Sequence, residues 1–180
     1  MRIISGILKG RRLKSFKASH LRPTTDQVKE VIFNKIMFQV DGARFLDLFG
    51  GTGNLSIEAY SRGADYILCV EKNPKSIKII NSNLDELDIK NSINVTQKDV
   101  FKFLRNNEED SFDIIMIDPP FTMKLADNVM LELAGTKLFH QGTLVIIESS
   151  KHEPIQDEYG EISLKERKNY GDKFLSIFEC

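Results

Sequence analysis

From about Arg44 onward, short apolar runs alternate with segments of helical period, which predicts an α/β fold with a mostly parallel sheet covered by helices. The runs at 44–49 (RFLDLF), 66–71 (YILCVE), 93–97 (INVTQ), 112–118 (FDIIMID) and 143–149 (TLVIIES) read as its strands. Between the second and third of these, Ile77, Ile80, Leu84 and Leu87 recur at spacings of three and four, with Pro74 near the helix start, where proline is tolerated. Two alternating segments, 161–170 and 173–179, flank Gly171 and Asp172 and predict a C-terminal antiparallel pair added to the parallel sheet. Upstream, Val28, Val31, Ile32, Lys35 and Ile36 fall on helical spacing, and Thr24 with Gln27 three residues later resembles a capping box. Ahead of that helix, RIISGILKGRRLKS sets two glycines among short apolar pairs, the pattern of a small hairpin. The expected organisation is an N-terminal hairpin-and-helix extension over 1–43 and a sheet domain over 44–180.

Composition supports one domain with a small appendage: 180 residues, 41% hydrophobic and 28% charged. No apolar run approaches the roughly 18 residues a spanning helix needs, and the N-terminus is too basic for a signal peptide, so a cytoplasmic protein with no membrane partner is expected. Cys69 and Cys180 read as reduced thiols, and His20, His140 and His152 form no metal constellation, so no metal is expected. Charge changes the picture more. Residues 1–44 carry ten of the 25 Lys/Arg against three of the 26 Asp/Glu, a balance of +7, leaving 15 against 23, or -8, for the rest. No acid precedes Asp26, so the arm is a positive patch on an acidic body. A solvated basic face and a polyanion-binding surface both fit that patch, and the second needs another feature to support it.

The first such feature follows the first strand. In DLFGGTGNLSIEA, Gly50, Gly51 and Gly53 allow a sharp turn and close approach of a ligand at the C-terminal end of a strand. A plain strand-to-helix turn would explain the glycines alone, and a dinucleotide fingerprint is a rival, but Ser56 stands where its third glycine belongs. Asp47 lies three residues before Gly50, where its charge would repel a pyrophosphate and attract a ligand with an ammonium and a sulfonium. S-adenosylmethionine is such a ligand. Glu71 ends the second strand, placed to accept hydrogen bonds from ribose hydroxyls, and Asp99 after the third could take an adenine amino group. Phe49 and Val100, which flank the loop and Asp99, complete the candidate donor-binding set.

The second feature is Asp118, Pro119, Pro120 and Phe121, which end the fourth strand. Residues before proline are pushed toward extended geometry, and neither proline donates an N–H. The Asp118 carboxylate and Pro119 carbonyl are then paired acceptors, suited to an amino group with two hydrogens, and Phe121 offers a ring on which a base can stack. Holding both hydrogens of a conjugated amine favours a tetrahedral nitrogen and directs its lone pair at a sulfonium methyl. No histidine base is required, because the methylated cation loses its proton readily.

FLDLFGGTGNLSIEAYSRGA, VEKN and IDPPF resemble the amino-group class of S-adenosylmethionine-dependent methyltransferases. RIISGILKGRRLKS, LRPTTDQVKEVIFNKI and YGDKFLSIF extend the similarity end to end and resemble more narrowly the RsmD family, which methylates N2 of a guanine in 16S ribosomal RNA. The resemblance implies a Rossmann-like class I methyltransferase sheet, S-adenosylhomocysteine as product, and no metal. It implies Asp47, Gly50, Gly51 and Gly53 as the donor loop, Glu71 at the ribose, Asp99 near the adenine and 118–121 around the guanine. Arg2, Lys9, Arg11, Arg12 and Arg22 would grip phosphates of 16S rRNA, in a small-subunit assembly intermediate, with the enzyme a monomer. An amino-methyltransferase acting on DNA adenine or protein glutamine is the alternative, as is a noncatalytic RNA-binding protein of the same fold. Asp rather than Asn at 118, an acceptor only, speaks against the first.

Overall fold

The computed structural model describes residues 1–15, 26–106, 108–120 and 123–180. Element order is α1 (Asp26–Lys35), α2 (Met37–Val40), β1 (Arg44–Asp47), α3 (Asn54–Ser61), β2 (Tyr66–Glu71), α4 (Pro74–Glu86), β3 (Asn94–Gln97), α5 (Val100–Arg105), β4 (Ile114–Ile117), α6 (Ala126–Ala134), β5 (Leu144–Ser150), β6 (Glu158–Tyr159), β7 (Ile162–Tyr170) and β8 (Lys173–Glu179). Among the described residues, one eight-stranded sheet contains every strand, in the order β3-β2-β1-β4-β5-β8-β7-β6. The first five are parallel, and β8 joins antiparallel to both β5 and β7.

The central strands carry apolar residues on both sides because helices cover both faces. Phe45, Ile67, Cys69, Ile114, Met116 and Ile146 share one core cluster with α1, α3 and α4. Leu46, Leu68, Ile115, Ile117, Val145 and Ile147 share the other with α5 and α6. Pro74 occupies the first turn of α4, and the Asn73 side chain caps that helix by accepting from Lys75 N at 2.9 Å.

Several boundaries move for local reasons. β1 stops at Asp47 rather than at 49, since the Asp47 carboxylate takes the Phe49 N–H that a longer strand would give to the ladder. Phe112 N donates to Leu138 O at 2.8 Å instead of starting β4. β6, two residues long, carries no periodicity to be read. The helix expected from Val28, Val31, Ile32, Lys35 and Ile36 forms, but it breaks at Ile36 and buries a different stripe, Lys29, Ile32, Phe33 and Ile36. Thr24 of the expected capping box lies outside the described residues.

The N-terminal segment pairs as the small hairpin expected, through an antiparallel bridge between Arg2 and Arg12. Ile3 N donates to Arg11 O and Gly10 N to Ile3 O, both at 2.9 Å. Ile3 and Leu13 enter the same core cluster as α1 and α3. Lys29, with no exposed surface, joins these pieces: its ammonium donates to Arg2 O at 2.7 Å and Asn54 Oδ1 at 2.8 Å, and pairs with Glu58 at 2.9 Å. Glu58 in turn accepts from Ile4 N, Ser5 N and Arg62 Nε at 2.8, 3.0 and 2.8 Å.

Burial pulls the Lys29 pKa down against the attraction of Glu58. Burial also opposes ionisation of Glu58, yet the Ile4 amide, Lys29 and Arg62 together outweigh it and hold the carboxyl below its usual range. Removing one member of a buried pair strands the other. Lys29→Met is therefore expected to cost about 3–5 kcal/mol, read as a lower urea midpoint at unchanged m-value.

Candidate active site

The chain runs outward from β1 to β2 and β3 on one side, then returns to place β4 on the other. Open sheets bind ligands where strand order reverses in this way, beyond the carboxyl ends of the strands. Register aligns Asp47 of β1 with Cys69 of β2 and Met116 of β4. Two residues further on lie Glu71 and Asp118. By strand alternation, both belong to the face of Ile67, Cys69, Ile114 and Met116, the face covered by the N-terminal hairpin, α3 and α4.

The glycine loop spans β1 and α3. Gly50 N donates to Val70 O at 2.9 Å, and Gly53 N to Gly50 O at 2.7 Å. Gly53, at φ +79°, opens α3 in the left-handed region. Gly50 is fixed by space instead: a Cβ there would lie 2.3 Å from the Sγ of buried Cys69.

All three donor-side acids bond to protein groups. Asp47, 1% exposed, accepts from Ser56 Oγ at 2.7 Å and Phe49 N at 3.2 Å, tying the strand end to α3. Burial raises its pKa to about 6, with Glu71 adding to the rise and the bonds from Ser56 and Phe49 opposing it. Glu71 accepts from Gly51 N at 2.8 Å with one oxygen and from Asn73 N at 2.7 Å with the other, joining the loop to the start of α4. Asp99 caps α5 through Phe101 N and Lys102 N at 3.1 and 3.4 Å, and lies 3.8 Å from Lys72. Val100 is buried beside it, and Phe49 is half-buried. An ionised carboxylate accepts about four hydrogen bonds, so these attachments leave capacity for a ligand.

Asp118 and Pro120 are half-buried and Pro119 is buried. Pro120 O accepts from Met123 N at 3.0 Å, which spends the second proline's carbonyl. Phe121 lies outside the described residues, as does Arg22. Arg2, Lys9, Arg11 and Arg12 are exposed on the hairpin; Arg11 also donates to Glu86 O at 3.2 Å, and Arg2 lies 3.5 Å from Asp26.

Periodicity did not reveal Asn83. It is 1% exposed on α4, where its Oδ1 accepts from Lys14 N at 2.8 Å and its Nδ2 donates to Lys14 O at 3.2 Å and Thr52 O at 3.0 Å. One amide thereby joins the basic arm to the glycine loop. The available signal was a polar residue inside a buried stripe, three positions after Ile80. Among the described residues there is no metal-like cluster of His, Cys, Asp and Glu, and no helix long and apolar enough to cross a membrane.

The Gly50 contact yields a test. Gly50→Ala is expected to cost about 1–3 kcal/mol by overpacking against Cys69. Adding Cys69→Ala should return part of that loss, so the double variant in urea unfolding must be less destabilised than the two single losses combined.

The family model described as Conserved hypothetical protein 95 matches residues 1–179. YlbH of Bacillus subtilis, a candidate rRNA methyltransferase, is 33% identical over 99% of this chain and 98% of its own. Ribosomal RNA small subunit methyltransferase D of Haemophilus influenzae is 32% identical over 93% of this chain and 88% of its own. A solved candidate methyltransferase from Escherichia coli, yhhF, superposes with a TM-score of 0.88 at 28% identity, covering 99% of this chain and 97% of that one. The mostly parallel sheet, the loop at its switch point and the end-to-end similarity agree, and the chain belongs to the Conserved hypothetical protein 95 family, the RsmD family of methyltransferases.

Proposed function

We propose that this protein transfers a methyl group from S-adenosylmethionine to the exocyclic N2 of one guanine in 16S ribosomal RNA. The observation that carries the reading is the placement of Asp118-Pro119-Pro120 one strand from the Gly50–Gly53 loop, on the sheet face that also holds Glu71. The small-subunit methyltransferase named among its relatives supports the RNA substrate. The RNA is taken within a small-subunit assembly intermediate, by a cytoplasmic monomer that needs no metal.

The residues of the cleft suit the donor. The loop lets the backbone approach a ligand closely, and the buried Asp47 charge beneath it favours a cationic one. Glu71 takes the ribose hydroxyls with its remaining acceptor capacity, and Asp99 and Val100 border the adenine, with Phe49 at the loop. S-adenosylmethionine supplies an electrophilic methyl on sulfur. The Asp118 carboxylate and Pro119 carbonyl accept the two N–H groups of the guanine amine, so that its lone pair points at that methyl. As the N–C bond forms the S–C bond breaks, leaving S-adenosylhomocysteine and a cationic nitrogen that both acceptors stabilise until it releases its proton to water. Phe121 stacks on the base, which must leave its helix to arrive there. Arg2, Lys9, Arg11, Arg12 and Arg22 hold phosphates and position the RNA.

Two outcomes test this. Without donor, the raised Asp47 pKa costs stability as pH climbs from 3.8, where the unfolded carboxyl ionises, to about 6. A bound cation favours the ionised form, so S-adenosylmethionine affinity measured by calorimetry should hold above pH 6 and fall below it, and Asp47→Asn should flatten that profile. A pH-independent wild-type affinity would remove Asp47 from donor binding. In the second, labelled donor and undermethylated small subunits should yield label on guanine N2. Asp118→Ala should keep donor binding and lose at least about a hundredfold in transfer. Label on adenine or protein, or near-normal turnover by Asp118→Ala, would refute the assignment.

A further inference from the structure

We infer that Glu148 is a second base contact, accepting the N1–H of the target guanine beside the amine held by Asp118; this rests on the guanine reading above. Ile117 of β4 pairs with Ile147 of β5, so the next residues along these parallel strands, Asp118 and Glu148, are lateral neighbours. Asp118 alternates with Ile114 and Met116, and Glu148 with Leu144 and Ile146, all four on one core face. Alternation therefore places both carboxyl groups on that face, on strands about 4.8 Å apart.

Glu148 is 1% exposed. Its Oε2 accepts from Lys173 Nζ, on the neighbouring strand β8, at 2.9 Å. Its Oε1 is buried and, among the described residues, has no hydrogen-bond partner. An orphaned buried carboxylate oxygen is costly, and such groups are few in native folds. A ligand donor arriving at Oε1 would relieve that cost.

The chemistry of the base identifies the donor. Guanine presents N1–H and the N2 amino group side by side on its Watson–Crick edge, so two adjacent carboxylates meet two adjacent donors. Adenine presents a lone pair at N1, which Oε1 would repel. Asp118 holds the nucleophile, and Glu148 selects the ring that carries it.

2-Aminopurine separates these roles, because it keeps the N2 amine but has a lone pair at N1. Small subunits reconstituted with guanine or 2-aminopurine at the target position would be methylated with wild type, Glu148→Gln and Glu148→Asp, the product being read by mass spectrometry. Wild type should prefer guanine by at least about a hundredfold. Glu148→Gln, whose amide donates to a lone pair, should reduce that preference at least about tenfold while donor affinity stays unchanged. Glu148→Asp should keep the preference at a lower rate. Equal losses on both substrates with the preference intact in Glu148→Gln, or a wild type indifferent to the replacement, would overturn the inference. A wild type that methylates neither base would instead refute the underlying guanine reading, and this inference with it.

Discussion

The buried pair of Lys29 and Glu58 fixes where the basic arm meets the sheet, and the geometry of the candidate site depends on it. Neither side chain has exposed surface. A salt bridge taken out of water gains little unless the remaining donors and acceptors are satisfied. Here most of the extra partners come from the arm itself, Arg2 O, Ile4 N and Ser5 N, with Asn54 and Arg62 supplying the others. Arg62, paired with Glu58, also stacks over Phe33 of α1 at 4.9 Å. The charges are therefore stable only while the first residues of the chain are in place, and those residues are held only while the charges are. Gly6 adds a steric term: a Cβ there would fall 1.6 Å from Ser61 O, so the arm lies directly against the end of α3.

The carboxyl edge of the sheet presents the opposite problem, several acids gathered on one side of the fold. Asp47 and Glu71 end β1 and β2, Asp118 follows β4, and Glu148 lies two residues before the end of β5, on four adjacent parallel strands. Each of the three whose partners are defined is restrained differently. Asp47 uses a serine hydroxyl and an amide, Glu71 two amides, and Glu148 a single lysine. Bonds of this kind fix geometry without cancelling negative charge, except at Glu148. The edge thus keeps a field that favours a cation, consistent with a sulfonium donor and with the positive nitrogen that forms during transfer.

How much of this the sequence disclosed depends on whether the signal was local. Apolar runs located the parallel strands β1, β2, β4 and β5 because both of their faces are buried, and Gly171-Asp172 marked the turn between β7 and β8. The glycines and Asp118-Pro119-Pro120 were legible because backbone restriction is a property of residue type. Lys29 was not, since a lysine in an apolar stripe reads as its edge, and its partner Glu58 lies 29 positions away on another helix. The ligand-facing roles assigned to Asp47, Glu71 and Asp99 were read from position alone. Their bonds to Ser56, Gly51, Asn73, Phe101 and Lys102 depend on how the loop and helix starts fold back, which spacing does not encode. Glu148 was hidden inside TLVIIES, where an acid late in an apolar run looks like a strand end.

Asn83 connects the basic arm to the glycine loop. Its amide holds the Lys14 backbone at both its N–H and its carbonyl, and the Thr52 carbonyl of the glycine loop as well. Displacing the arm would leave buried polar atoms of Asn83 unsatisfied, at a cost of about 1–3 kcal/mol, on the helix whose first turn Glu71 ties to the same loop. The surface that presents positive charge and the loop at the switch point are thus one mechanical unit. On the other side of β1, β4 ends at Ile117, the prolines that follow bias Asp118 toward extended geometry, and Pro120 O accepts from Met123 N. The loop is thus held from one side by the arm and bordered on the other by the end of β4, where two prolines restrict the backbone.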